Sequence, residues 1–125
     1  MNERPLVSPC YDHLGGLLGE RLASRLVEMG WLTPEPNAGV TPLGWSGLSQ
    51  LGIDLAPLTA SRRKPINLCQ ERHGGETYAH VGAHLGFLIR RHFLAVGWLT
   101  ATNDGLELTA AGEAALRQLG VNLEA

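Results

Sequence analysis

YDHLGGLLGERLASRLVEMGWLT (11–33) and YAHVGAHLGFLIRRHFLAVGWLT (78–100) lie over one another without a gap. Tyr11/Tyr78, His13/His80, Gly15/Gly82, Leu18/Leu85, Gly19/Gly86 and the tetrapeptide GWLT all coincide. After a loop that differs by one residue, VTPLGWSGLSQLGIDL (40–55) lies over LTAAGEAALRQLGVNL (108–123), with Thr41/Thr109, Gly44/Gly112, Leu48/Leu116 and the Leu-Gly pairs at 51–52 and 119–120 in common. A tetrapeptide containing tryptophan does not recur by chance inside two such matched frames, so the chain reads as a tandem duplication, and repetition of this kind takes precedence over residue-level arguments. The first repeat covers 11–55 and the second 78–123, with 56–77 as a linker. A unit of about 45 residues buries too little surface to be stable by itself. The expectation for 1–125 is therefore a single pseudo-twofold domain in which both copies share one core.

Each copy begins with an amphipathic helix. Leu14, Leu18, Leu22, Leu26 and Met29 recur at steps of three and four, and Val81, Leu85, Ile89, Phe93 and Val96 repeat the stripe. Gly30 and Gly97 follow the last apolar positions, where a glycine takes the left-handed conformation that stops a helix. Trp31-Leu32-Thr33 and Trp98-Leu99-Thr100 read as short strands, and PEPNAG and ATNDG supply turn residues for hairpins that return near 39–41 and 106–109. Thr41 and Thr109 stand where a hydroxyl caps the next helix, and Gly52 and Gly120 close those helices. The fold class is α+β and mostly helical, a helix/β-hairpin/helix unit used twice. Gly15, Gly19, Gly82 and Gly86 fall inside the expected long helices, where each costs roughly 1 kcal/mol relative to alanine. A crossing of the two helices at these small residues would offset that cost. Trp31, Trp45 and Trp98 read as core.

Long helix, GWL, hairpin and LTxxG resemble the second half of a winged-helix domain, with the hairpin as the wing. CYDHLGG (10–16), GWLT, LGIDL (51–55), SRR (61–63) and the second cysteine of NLCQER (67–72) resemble, more specifically, the C-terminal region of ArsR-type bacterial transcriptional regulators. In that family the region follows a winged-helix DNA reader. Only nine residues precede Cys10 here, so the resemblance implies a regulatory part without its own reader, working with a DNA-reading domain or regulator partner. The segment CQERHGGETYAHVG (69–82) departs from the family pattern: it lacks an aromatic after the cysteine and is longer.

Several sites follow from these patterns. Tyr11, His13, Tyr78 and His80 would meet at the start of the two long helices, where aromatic walls and imidazoles suit an unidentified small-molecule effector. The alternative is that these groups hydrogen-bond one another across the repeat interface. Cys10, His13, Cys69, His73, His80 and His84 are thiolate and imidazole donors of the kind zinc, copper(I) or a metalloid selects, although the two cysteines are not closely spaced. Arg62, Arg63 and Lys64 of the linker, with Arg90 and Arg91, are the residues a nucleic-acid interface would use, against which stands a net charge of −2. The three readings of function are accordingly a ligand-sensing or dimer-forming regulatory domain, a nucleic-acid-binding module and a metal or metalloid sensor, with the first preferred. No organic cofactor is implied, and no nucleophile beside a base or phosphate-binding glycine loop points to an enzyme. No apolar run of membrane-spanning length occurs, and two cysteines fit a reducing compartment, so the expected location is the cytoplasm, with homodimer formation left open.

Overall fold

A computed structural model describes residues 5–10, 12–60 and 62–124. The side chains of Pro9, Cys10 and His73 and the whole of Tyr11 lie outside the described residues. The element order is β1 (Ser8–Cys10), β2 (His13–Gly15), α1 (Gly16–Glu28), β3 (Leu32–Thr33), β4 (Gly39–Val40), α2 (Pro42–Gln50) and α3 (Pro57–Ala60). Then follow β5 (Asn67–His73), β6 (Glu76–Gly82), α4 (Ala83–Ala95), β7 (Leu99–Thr102), β8 (Gly105–Leu108) and α5 (Ala110–Leu119). The strands form four antiparallel two-stranded ribbons, β1–β2, β3–β4, β5–β6 and β7–β8. The succession ribbon, helix, ribbon, helix thus occurs twice, separated by α3. The class is α+β, with more strand than a mostly helical reading allowed.

The difference lies upstream of the two long helices. They were expected to begin at Tyr11 and Tyr78, yet they begin at Gly16 and Ala83, and the residues carrying His13 and His80 are strands. The supposed linker 56–77 contains α3 and all of β5, which pairs with β6 from Asn67↔Gly82 to His73↔Glu76. The cause is a sharp change of backbone direction at the strand-to-helix junction. Gly16 has φ +79° and its counterpart Ala83 has φ +57°, left-handed conformations through which a right-handed helix cannot run on into the residues before it. The flanking residues Gly15 and Gly82 offer no capping side chain; the preceding segment supplies backbone carbonyls instead. Leu17 and Leu18 N–H donate to the carbonyls of Pro5 and Leu6 at 3.0 and 2.8 Å, and His84 and Leu85 N–H to those of Lys64 and Pro65 at 3.1 and 2.8 Å. Four donors that open the two helices are satisfied in the same way in both halves.

Downstream, the glycine and threonine signals hold. Gly30 and Gly97 take φ of +74° and +80°. Thr41 Oγ1 accepts from Gly44 N–H at 2.9 Å and Thr109 Oγ1 from Gly112 N–H at 3.0 Å, and each hydroxyl donates in turn to the carbonyl of Gly30 or Gly97. One cap therefore ties a helix start to the end of the preceding helix.

The apolar stripes of both long helices meet in one core. Leu18, Leu22 and Leu26 of α1 and Leu85, Ile89 and Phe93 of α4 are all buried, joined by Leu32, Leu48, Leu99 and Leu116. Packing is exchanged between the halves: α1 lies chiefly on β6, and α4 packs more closely on β2 than on β6. The close approach at Gly19 and Gly86 consequently differs from the expected crossing of two helix backbones. A side chain at Gly19 would collide with the Leu14 carbonyl and lie 3.1 Å from His80 Cβ; one at Gly86 would collide with the Val81 carbonyl and lie 2.7 Å from His13 Cβ. The glycines admit the preceding strand of their own half and the histidine of the other. Gly15 and Gly82 are the flanking residues of the helices, in extended conformation. Trp31 and Trp98 are half-buried against the core, the latter with its ring 4.9 Å from that of Phe93, whereas Trp45 is 39% exposed on α2 and is no part of it. Among the described residues, no helix is long and apolar enough to cross a membrane.

Candidate functional site

The exchanged packing puts the two ribbons that precede α1 and α4 side by side, and their histidines meet. His13 is 6% exposed and His80 fully buried. His80 Nε2 and His13 Nδ1 are 3.1 Å apart, with ring centroids at 5.0 Å. Strand alternation accounts for the neighbours. Cys69 is the cross-strand partner of His80, and Glu71 that of Tyr78 two residues on, so one face of the β5–β6 ribbon carries a thiol, a carboxylate and an imidazole. Glu71 Oε1 lies 3.2 Å from His80 Nδ1 and accepts from Gly16 N–H at 2.8 Å. The Glu71 carboxylate is thus a close neighbour of the His80 ring on its Nδ1 side, and Nε2 is the nitrogen that faces His13. The donor atoms of His13, Cys69 and His80 all lie within 4.8 Å of one another.

On the open side of His13, Asp12 forms a two-pronged ion pair with Arg63, at 2.8 and 2.9 Å. The hydrogen bonds from Arg63 hold the Asp12 carboxyl below its ordinary range, against the opposing effect of burial. Burial lowers the pKa of His13, and the positive charge His80 can carry lowers it further; Asp12 opposes this, and Arg63 and Arg90 add to the lowering. His13 is therefore biased toward the neutral imidazole, the form that can ligate a metal.

The sequence candidates are distributed unevenly around this point. His13 and His80 are in contact, and Cys69 is beside them. Tyr78 is half-buried and donates its hydroxyl to Glu76 at 2.6 Å; it lines a separate open groove of about 410 Å³ between α1 and β6, with Glu20, Ala23, Val27, Leu68 and Thr77. The single concavity expected to gather Tyr78 with the two histidines is thus replaced by a buried imidazole pair and a groove elsewhere. Tyr11 is outside the described residues. Cys10 is known by its backbone alone: it pairs with His13 as Cys69 pairs with His80, an equivalence hidden by the different lengths of the two ribbons.

His84 is buried on α4 near Phe87, with no hydrogen-bond partner at Nδ1, and does not belong to the His13–Cys69–His80 group. The basic candidates do not form one open surface. Arg63 is engaged by Asp12, Arg90 is half-buried, and Arg63 and Arg91 stand 5.7 and 5.2 Å from the Phe87 ring centre, while Arg62 and Lys64 are exposed. Glu71 escaped the sequence reading. A period-two reading of 67–73 as a strand would have put it on the same face as Cys69.

In comparison with known proteins, the chain is 30% identical over 112 residues to an uncharacterised HTH-type transcriptional regulator, YdfF, of Bacillus subtilis strain 168. The match takes in 87% of this chain and 49% of that protein, so the chain spans about half the length of its relative. No family model matches the chain, and no solved structure does.

Proposed function

We propose that this chain is the effector-responsive part of a bacterial transcriptional regulator of ArsR type, corresponding to the region that follows the DNA reader, and that it arose by duplication of one ribbon–helix–ribbon–helix unit about a pseudo-twofold axis. The similarity to an HTH-type regulator supports the association with transcription, and the twofold recurrence of caps, glycines and junction hydrogen bonds supports the duplication. The single observation that carries the regulatory reading is the buried His13–His80 contact. It joins one half to the other through polar groups, at a position where two leucines would serve stability as well. A ligand held there favours one packing of the halves over another by its difference in affinity for the two, and that difference is the signal available to a partner.

Thermal denaturation in reducing buffer against a panel of organic compounds and metal ions tests this. An effector at one hundred times its dissociation constant stabilises by about 2.7 kcal/mol. Stabilisation of the wild type that is lost in the His13→Ala, His80→Ala double variant supports the proposal, with the single His→Asn variants in its place if the double variant does not fold. A panel with no stabilising ligand, or one whose ligands stabilise wild type and variants equally, overturns it.

A further inference from the structure

We infer that His13, Cys69 and His80 form a binding site for a borderline-soft divalent cation of the zinc class, which bridges the two halves of the chain. The inference rests on the regulatory reading above only for its purpose; its chemistry stands on the geometry. Two imidazole nitrogens at 2.0–2.1 Å from a tetrahedral zinc ion are about 3.3 Å apart, and His13 Nδ1 and His80 Nε2 are already 3.1 Å apart. The same contact can hold a single shared proton; a cation in its place would lie off the line between the two nitrogens, so each ring would tilt toward it while the nitrogens keep nearly their present separation. The thiol of Cys69 comes from the strand paired with His80 and completes a sulfur–nitrogen set that hard cations such as magnesium do not favour.

Two further features fit a cation and not merely a polar contact in the core. Metal-ligating histidines characteristically give their other ring N–H to a carboxylate, which fixes ring orientation and tautomer. Glu71 Oε1, itself held by Gly16 N–H, stands 3.2 Å from His80 Nδ1, near enough to take up that role once the ring turns to a cation, and Nε2 is the nitrogen that faces His13. The charges also suit a dication. Asp12 neutralises Arg63, and the Glu71 carboxylate lies beside His80. His13 belongs to one half and Cys69 and His80 to the other, so metal occupancy would be coupled directly to the relative position of the halves.

The test uses the reduced full chain, stripped with chelator and titrated with cobalt(II) as a spectroscopic stand-in for zinc. The expected result is a 1:1 complex with a thiolate-to-cobalt charge-transfer band and tetrahedral d–d bands, displaced by zinc. Cys69→Ser should remove the charge-transfer band. Glu71→Gln should weaken affinity about 10- to 100-fold while keeping the band, and His84→Asn should change neither. Because His13→Asn and His80→Asn could impair folding, far-UV circular dichroism is recorded for each, and Glu71→Gln, outside the ligand set, keeps the inference open to refutation. Absence of a 1:1 complex, an unaltered spectrum in Cys69→Ser, or affinity unmoved by Glu71→Gln overturns it. If cobalt and zinc fail while an organic effector stabilises the wild type through His13 and His80, the metal inference falls and the regulatory reading stands; if no ligand of either kind binds, both fall.

Discussion

Replacing Gly86 by alanine adds a single methyl group, and the sign of its effect separates two descriptions of this helix. On a solvated or fraying stretch the change stabilises by about 1 kcal/mol, because alanine is the better helix former. In this structure the new Cβ would overlap the Val81 carbonyl and sit 2.7 Å from His13 Cβ. Neither neighbour yields easily: Val81 is held in the ladder opposite Leu68, and His13 is buried between its own ribbon and His80. Overpacking of this kind costs about 1–3 kcal/mol, and contact with a fixed backbone belongs toward the upper end. Subtracting the propensity gain leaves a net loss of about 1–2 kcal/mol, which for a domain of this size lowers the melting temperature by about 3–8 °C. Gly19→Ala should behave alike, since the Leu14 carbonyl and His80 Cβ stand in the equivalent places. Thermal and urea unfolding of both variants, monitored by circular dichroism, is sufficient. A melting temperature raised in both would refute the strand-on-helix contact at the glycines.

Three further outcomes are expected. Thr41→Ala and Thr109→Ala should each cost about 1 kcal/mol through the lost cap, and amide exchange should quicken at Gly44 and Gly112, whose N–H groups those hydroxyls accept; unchanged exchange would contradict the assignment. Ala83→Gly should leave stability unchanged or raise it by up to about 1 kcal/mol, since relief of the left-handed strain at φ +57° outweighs the added freedom of the unfolded chain, and a loss above that in urea unfolding would show that the conformation is not strained. In the metal-free protein, His13 is held below its ordinary pKa of 6.5 by burial first. The unfolded chain therefore takes up a proton that the folded chain refuses: stability is full above about pH 6.5 and declines as pH falls toward the folded value. The urea midpoint followed from neutral to mildly acidic pH should show this decline, reduced in His13→Asn; a midpoint that rises on acidification would reverse the sign and reject it.

Much of the fold is visible in particular residues. Leu18, Leu22 and Leu26 against Leu85, Ile89 and Phe93 predict one buried face per long helix. Gly30, Gly97, Thr41 and Thr109 predict where helices stop and start, since a left-handed residue or a capping hydroxyl acts within four residues of itself. The helix starts were misread for a specific reason: Leu14 and Val81 are buried whether the backbone around them is helical or extended, so the apolar spacing continues across a junction that the backbone does not. Trp45 reads as core by analogy with the hairpin residues Trp31 and Trp98, but an aromatic residue on a two-turn helix is buried only if that face meets the core, and this one does not.

For the site, the sequence by itself determined that Tyr11 and Tyr78, and His13 and His80, are present in duplicate, because duplicated residues are legible wherever the frames align, whereas the correspondence of Cys10 with Cys69 falls outside those frames and comes from ribbon register. Only the tertiary structure decided that the imidazoles touch, that Cys69 and Glu71 share their face, and that Tyr78 belongs to a different groove. Each of these depends on ribbon register and on the exchanged packing of α1 on β6 and α4 on β2. Those contacts join positions some sixty residues apart, whose pairing is set by the shape of the shared core and not by any local preference of the chain.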